Sequence, residues 1–99
     1  MVMEYRVEFL PGVDRNLEII DEYLSQFYPS TAGKFFEKLD KMMLLLKDNP
    51  YIGAVYLPNP KYRKLGIGDY LAFYTVDEGK RLIEVYRVLH GAQDISQYL

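Results

Sequence analysis

Cysteine is absent from this chain of 99 residues, histidine occurs once, as His90, and positive charge is not in excess. Without cysteine there is neither a disulfide nor a thiolate metal site. A single histidine among scattered carboxylates gives no metal-ligand spacing, so we expect neither a metal nor another cofactor. The formal net charge of -2 argues against general nucleic-acid binding, whose usual signature is a basic stripe.

Long apolar runs are absent too. No segment approaches the roughly 18 apolar residues of a membrane span. The N-terminal segment MVMEYRVEFLPG carries charges at Glu4, Arg6 and Glu8, where a signal peptide needs an apolar core. We therefore expect a cytoplasmic protein that does not associate with membranes. Hydrophobic residues make up 49% of the chain, which suits a single domain over residues 1–99.

The hydrophobic pattern predicts a strand followed by two helices. The segment MEYRVEF alternates between apolar and charged side chains, which is typical of a half-buried strand. Apolar residues then recur at three- and four-residue steps, which predicts a helix with Asp14 as its N-cap and a second helix that runs to about Asp48. Pro29 is expected to end the first helix, and Ser30 or Thr31 to cap the second. A connection this short predicts an antiparallel helical hairpin.

Three further strands are predicted after a loop. Residues 49–61 contain three prolines and no sustained period, so we expect a loop there. The segments YRKLGI, DYLAFYTV and RLIEVYRVL are rich in aromatic and branched residues, and the Gly68-Asp69 pair and the DEGK segment between them are typical of hairpin turns. The predicted fold class is α+β in the order β-α-α-β-β-β, with the helices on one face of the sheet and a three-stranded antiparallel meander at the end.

Alternation in the last predicted strand gives the sheet two dissimilar faces. One predicted face carries Leu82, Glu84, Tyr86 and Val88, and the opposite face carries Ile83, Val85, Arg87 and Leu89. Each face then has one polar residue at its centre. If the helices cover one face, little of the chain is left to cover the other, and we expect a partner to contribute there.

A few polar residues near the strand ends are candidates for catalysis. They are His90, Arg63, Lys64 and Arg87, with Tyr98 further along the chain. Metal-free RNA cleavage needs groups that move protons at the 2′-hydroxyl and at the leaving oxygen, and cations that stabilise the charge on phosphorus. These residues have the right chemical types.

The alternative interpretation of the C-terminus is structural. His90 and Gly91 would form a turn at the end of the last strand, and Asp94 would cap a short C-terminal helix, DISQYL. The tail would then dock on the domain and carry no chemistry.

Three segments together resemble one known family. NPYIG, YRKLGIGDYLAFYTVDE and VYRVLHGAQDI are similar to the RelE/ParE superfamily of bacterial toxins, the plasmid-stabilisation half of type II toxin-antitoxin modules. The resemblance covers essentially the whole chain. It implies a toxin that a cognate antitoxin holds inactive by wrapping it, and that reaches operator DNA only through that antitoxin.

Members of the superfamily differ in their targets, and two features favour the ParE-like branch. RelE-like enzymes usually carry an arginine directly after the aromatic residue that begins the third strand; Leu71 stands there in this chain, and an apolar side chain does not stabilise a phosphorane. The ending RVLHG..D resembles ParE-like members, which act on DNA gyrase. The resemblance therefore implies a gyrase inhibitor without catalysis.

Two alternatives stay open at this point. One is a RelE-like, ribosome-dependent mRNA endonuclease, or mRNA interferase, in which His90 is the acid or base and Arg63, Lys64 and Arg87 hold the phosphate. The other is a family member that only binds its antitoxin.

Overall fold

Five strands, two α-helices and one short 3-10 helix make up the computed structural model, which describes residues 4–93 and 95–99. In chain order they are β1 (Arg6–Phe9), α1 (Pro11–Ser25), α2 (Pro29–Asp48), β2 (Ala54–Val55), β3 (Arg63–Ile67), β4 (Tyr70–Asp77), β5 (Leu82–His90) and the 3-10 helix Ile95–Gln97. The α+β class, the pair of helices and the last three strands are as predicted. Neither α1 nor α2 offers an apolar stretch long enough to cross a lipid bilayer.

The strands form one mixed sheet in the order β1-β5-β4-β3-β2. β3, β4 and β5 are the predicted antiparallel meander, and β1 adds to the outer side of β5 in parallel. A parallel pair needs a long crossover between its strands, which the helices and the meander supply. β2 was not predicted: Ala54 and Val55 pair with β3 inside the segment expected to be a loop.

Both helices begin at a proline, which corrects the predicted boundaries. α1 starts at Pro11, three residues before the predicted cap Asp14, which lies in the first turn. Pro29 begins α2, so it does not end α1, and neither Ser30 nor Thr31 caps a helix. Proline is favoured at the first helical position because its missing N–H would have no partner there and its φ angle already suits a helix. Carboxylates in the first turn are also stabilised by the helix dipole.

The helices cover one face of the sheet, called here the helix-covered face. Its core is apolar and joins both helices to the strands: Val13, Ile20, Phe35, Leu39, Met43, Leu46, Leu65, Ile67, Tyr70, Ala72, Tyr74, Ile83, Val85 and Val88. Burial of such side chains at about 25 cal/mol per Å² is the main driving force for folding. The opposite side of the sheet is called the open face.

A β-bulge in β5 overturns the predicted alternation of that strand. Phe73 pairs with Arg87, but the next residue, Tyr74, pairs with Val85, so Tyr86 is an extra residue in β5. An extra residue shifts the two-residue period by one position.

The shift changes which residues share a face. Val88 joins Ile83 and Val85 in the core, and Arg87 lies on the open face. The helix-covered side of β5 is therefore apolar along its core, with no polar residue at its centre.

Candidate functional site

Two cations lie in one row on the open face. Lys64 pairs with Phe73 in the sheet, and Phe73 pairs with Arg87, so the three residues cross β3, β4 and β5 side by side. Neighbouring strands are about 4.8 Å apart, which puts the Cα atoms of Lys64 and Arg87 about 10 Å apart. Neither cation forms an ion pair with a carboxylate of the described residues. The row is therefore a positively charged strip.

Aromatic rings from the segment before β3 cover part of this face. The Tyr56 ring lies 5.5 Å from the ring of Phe73, which is fully buried although the helices are on the other side. The Tyr62 and Tyr86 rings are 5.0 Å apart, and the Lys61 ammonium lies 5.0 Å from the Tyr62 ring centroid. The expectation that the chain has little to cover this face with is thus corrected: its own loop shields the centre.

Arg87 reaches from the open face towards the start of α1. Its Nη1 donates to the Tyr86 carbonyl oxygen over 2.7 Å. A side chain on Gly12 would overlap with the guanidinium. Glycine at this position lets the cation occupy the space beside the helix.

Arg63 lies on the helix-covered side, because it alternates with Lys64 along β3. Its Nη1 donates to the carbonyl oxygens of Gly53, over 2.8 Å, and of Tyr51, over 3.2 Å. The guanidinium carbon also lies 4.9 Å from the centroid of the Tyr51 ring. These contacts hold the chain between α2 and β2 in place.

His90 is the last residue of β5 and lies on the helix-covered side. It pairs with Tyr70, and the two rings meet edge to face with centroids 5.3 Å apart. Its Nδ1 accepts a hydrogen bond from the Ala92 N–H over 3.1 Å, and its backbone N–H donates to Gln93 Oε1 over 2.7 Å. An Nδ1 that accepts leaves the proton of the neutral ring on Nε2.

A groove of about 360 Å³ adjoins His90. It is lined by α1 and the ends of β4 and β5: Ile19, Ile20, Tyr23, Tyr70, His90 and Gln93. Burial raises the pKa of the Tyr70 hydroxyl, and the nearby Tyr23 and Asp69 raise it further. The Tyr70 hydroxyl is thus kept neutral at ordinary pH, and the groove is largely apolar.

The sheet separates the predicted catalytic residues into two groups. Lys64 and Arg87 share the open face, whereas His90 and Arg63 lie on the helix-covered side. The catalytic role of these residues stays a prediction. Within residues 4–93 and 95–99, histidine and carboxylate side chains do not gather in threes around a point where a metal ion would bind.

The C-terminal segment follows β5 as a turn and one 3-10 turn. Gly91 donates to the Asp69 carbonyl oxygen over 2.9 Å, which ties the turn to the β3–β4 hairpin. Ile95–Gln97 is the 3-10 helix at the place of the predicted DISQYL helix. Tyr98 lines a cleft with α1 and Leu89. The predicted cap, Asp94, lies outside the described residues.

Leu71, the residue that weakened the nuclease interpretation, lies on the open face. It pairs with Gly66 on β3 and with Leu89 on β5 and is half-buried. The end of the open face beyond Phe73 is therefore apolar, and Lys64 and Arg87 lie one row away.

The apolar period of β4 is consistent with a buried Tyr74, but sequence reasoning did not reveal that this residue anchors the segment before β2. Tyr74 is fully buried; its hydroxyl accepts from the Gly53 N–H over 2.9 Å and donates to the Pro50 carbonyl oxygen over 2.8 Å. Burial raises the pKa of this hydroxyl, while the Gly53 N–H and Arg63 oppose the rise. The signal in the sequence was the run YIGAVYL, which is unusually apolar for a loop.

The fold is similar to solved toxin structures. A chain of the toxin-antitoxin complex RelBE2 from Mycobacterium tuberculosis superposes with a TM-score of 0.63 at 18% identity, over 89% of this chain and 99% of that one. The Escherichia coli toxin RelE, as a double arginine mutant in the free state, gives a TM-score of 0.67 at 19% identity, over 97% of this chain and 94% of that one. At these identities the likeness concerns the fold alone.

The sequence itself matches a family model. No curated protein matches it significantly. The model described as the ParE toxin of the type II toxin-antitoxin system parDE matches residues 7–95, and its span includes both helices and all five strands except the first residue of β1. The chain therefore belongs to the ParE toxin family of type II toxin-antitoxin systems.

Proposed function

We propose that this toxin arrests growth by binding DNA gyrase and that it catalyses no reaction. The observation that carries the proposal is the separation of His90 from Lys64 and Arg87 by the sheet. Metal-free RNA cleavage needs proton-transfer groups and cations around one phosphate. A protein-binding toxin has no such requirement.

The surface supports a binding role in a second way. Tyrosine and arginine are enriched in protein interfaces because they combine a large contact area with polar groups. The open face carries the half-buried Tyr56, Tyr86 and Arg87 together on a sheet, whose backbone is already ordered.

A supercoiling assay with purified toxin and gyrase tests this proposal. The toxin should inhibit supercoiling in the absence of RNA and ribosomes, and mapped transcripts from cells that express it should stay intact. Full gyrase activity at a large excess of folded toxin contradicts the proposal.

We also propose that a cognate antitoxin neutralises the toxin and supplies the contact with operator DNA. The related Mycobacterium tuberculosis structure is a toxin-antitoxin complex. The groove beside Ile19, Tyr23 and His90 is apolar and concave, which suits a segment that wraps around a folded protein. This arrangement is the one expected of a plasmid-stabilisation module.

Melting with and without antitoxin tests this partner. Binding to the folded state alone stabilises it by RT ln(1 + [L]/Kd), which is about 2.7 kcal/mol at 100 times Kd. An unchanged melting temperature at saturating antitoxin contradicts the pairing.

An mRNA interferase is the second candidate, and the row of Lys64 and Arg87 beside the half-buried rings of Tyr56 and Tyr86 favours it. Cations and stacking rings are what single-stranded RNA binds. In that case His90→Gln should abolish growth arrest and leave the melting temperature within a few degrees of wild type, and transcripts should show new 5′ ends within translated codons. Toxicity that persists in His90→Gln contradicts a catalytic role for this residue.

A further inference from the structure

An exposed apolar segment lies at the β2 edge of the sheet, far along the chain from the groove beside His90. Its large side chains are Tyr51, Ile52, Val55 and Leu57, all exposed. Leu57 is 81% exposed, the highest value among the large hydrophobic side chains of the described residues. We call Tyr51–Leu57 the apolar knob. Exposed apolar clusters with a charged rim are typical of protein-binding sites.

Two consecutive turns hold Leu57 in a fixed position. The Asn59 N–H donates to the Tyr56 carbonyl oxygen, and the Tyr62 N–H donates to that of Asn59, each over 3.0 Å. The Tyr56 N–H closes the loop by donating to the Tyr62 carbonyl oxygen over 2.9 Å. Pro58 and Pro60 restrict the backbone further. A segment that is ordered before binding loses less entropy when it binds.

Four hydrogen bonds fix the base of the knob. The buried Tyr74 and the half-buried Arg63 bind the backbone of residues 50–53. A Cβ atom on Gly53 would lie 2.7 Å from the Lys64 carbonyl oxygen and from the Tyr74 hydroxyl, so no other residue fits without a shift. The start of the knob is thus tied to the core through Gly53, and β2 and the two turns connect it to Leu57.

The charge around the knob differs from that of the whole chain. Residues 49–68 contain Lys61, Arg63 and Lys64 and none of the fourteen acidic residues, whereas the chain as a whole has a net charge of -2. Lys61 and Lys64 are exposed and form no ion pair with the described carboxylates. The rim is therefore basic, and it complements an acidic surface.

We infer that the knob is the element that contacts the target, with Leu57 in an apolar pocket of a folded protein and with Lys61 and Lys64 against carboxylates at the rim of that pocket. The shape supports a folded partner, because a protruding rigid side chain fills a pocket, whereas a wrapping antitoxin segment needs a groove. This inference rests on the proposed function, in which the folded target is DNA gyrase.

Leu57→Asp tests the inference, with Leu44→Asp as the matched control. Leu44 is 62% exposed on α2, so both variants place a charge on exposed leucine positions and should fold, as circular dichroism melts will show. Leu57→Asp should raise the toxin concentration for half-inhibition of gyrase by about 30-fold, which is typical of a hot-spot residue. Its affinity for the antitoxin should stay within about twofold of wild type, and Leu44→Asp should inhibit gyrase as wild type does.

Charge reversal gives an independent second variant. Lys61→Glu with Lys64→Glu should weaken gyrase inhibition and reverse its dependence on salt, because attraction across the rim becomes repulsion. Inhibition by either variant that equals that of wild type overturns the inference. So does a Leu57→Asp protein that stays toxic but no longer binds antitoxin, since the knob would then be the antitoxin site.

A failure of the gyrase proposal can be distinguished from a failure of the inference about the knob. If the wild-type toxin leaves gyrase fully active, gyrase is not the target, and growth arrest in cells becomes the measurement for the same variants. Loss of arrest in Leu57→Asp alone, with Leu44→Asp still toxic, keeps the knob as the contact with another target. Equal toxicity of wild type and Leu57→Asp overturns the inference in that case as well.

Discussion

The two faces of the sheet are built from the same strands but differ in what their side chains do. On β4, Tyr70, Ala72 and Tyr74 are buried under the helices, whereas Phe73 and Thr75 point to the open face. The core of the helix-covered face is apolar, and its polar residues Arg63 and His90 lie near the ends of β3 and β5, whereas the open face carries the cations Lys64 and Arg87 beside aromatic rings. Most of the buried apolar cluster therefore lies on one side of the sheet, and on the other side burial is limited to residues such as Phe73 and Leu89, which lie beside exposed or half-buried polar groups.

Tyr74 contributes both to the core and to the proposed binding element. Its ring is buried under the helices, and its hydroxyl anchors the base of the knob. We therefore expect substitutions of Tyr74 and of the residues that it contacts to have the largest effects on stability, and substitutions of exposed residues on the open face to have the smallest.

Tyr74→Ala should have the largest effect. Removing a fully buried ring costs about 3–5 kcal/mol, since a cavity remains and the Gly53 N–H loses its acceptor. Urea unfolding of both proteins measures the loss. The control is Thr75→Ala, one residue along on the open face, with an expected loss below about 1 kcal/mol. Equal losses at the two positions would contradict the division between the faces.

Replacing Gly53 and Gly33 by alanine should change the stability of the protein in opposite directions. Gly53→Ala puts a methyl group 2.7 Å from the Lys64 carbonyl oxygen and the Tyr74 hydroxyl, and such overpacking costs about 1–3 kcal/mol. Gly33 lies within α2 with no atom near its added Cβ, so Gly33→Ala should stabilise the protein by about 0.5–1 kcal/mol. Thermal melts of the two variants check both signs, and a stabilised Gly53→Ala protein would show that the base of the knob is not tightly packed.

Alkaline pH should weaken the helix-covered face through Tyr74. Burial raises the pKa of its hydroxyl, so the folded state keeps the proton that the unfolded chain begins to lose near the ordinary pKa of 10.0. The contribution is complete below that pH and is lost as pH rises through the folded-state pKa.

Tyr74→Phe isolates this effect. The variant should be less stable at pH 7 by about 1–3 kcal/mol because the Gly53 N–H has lost its partner. The difference from wild type should narrow above pH 10 in urea titrations. A constant difference across that range would show that Tyr74 does not contribute to the alkaline loss.

Lys64→Ala should have the smallest effect on stability, within about 0.5 kcal/mol, because the side chain is exposed and has no ion pair with a described carboxylate. Its effect should be confined to function: gyrase inhibition should become less dependent on salt. A Lys64→Ala protein that unfolds at markedly lower urea would place this residue among the stabilising ones.

Local patterns predicted most of the elements correctly. The period-2 runs gave β3, β4 and β5 to within one or two residues, and the end of α2 at Asp48 is as expected. The helix starts were wrong because Asp14 was taken as a cap and Pro29 as a break, whereas the helices begin at Pro11 and Pro29; proline interrupts a helix but is favoured at its first position. The two residues of β2 are too few to show a period.

The candidate site was less predictable. The types of its residues were evident from the sequence, but their faces depended on the bulge at Tyr86, which no periodicity reveals. Strict alternation along β5 would put Arg87 on the same face as Val85. Because Tyr86 is an extra residue between them, Arg87 lies on the open face instead. The role of Tyr74 in anchoring residues 50–53 depends on contacts more than twenty positions away in the chain.

The sequence by itself determined the elements, the apolar stripes of the helices and the segments that resemble the ParE family, because these features depend on residues close together in the chain. Tertiary structure alone decided that β1 pairs in parallel with β5, that the sheet separates His90 from Lys64 and Arg87, and that the buried Tyr74 binds Gly53 in the knob. These outcomes depend on packing and hydrogen bonds between residues that are distant in the chain. Such contacts form only when the strands of the sheet have paired in the correct register.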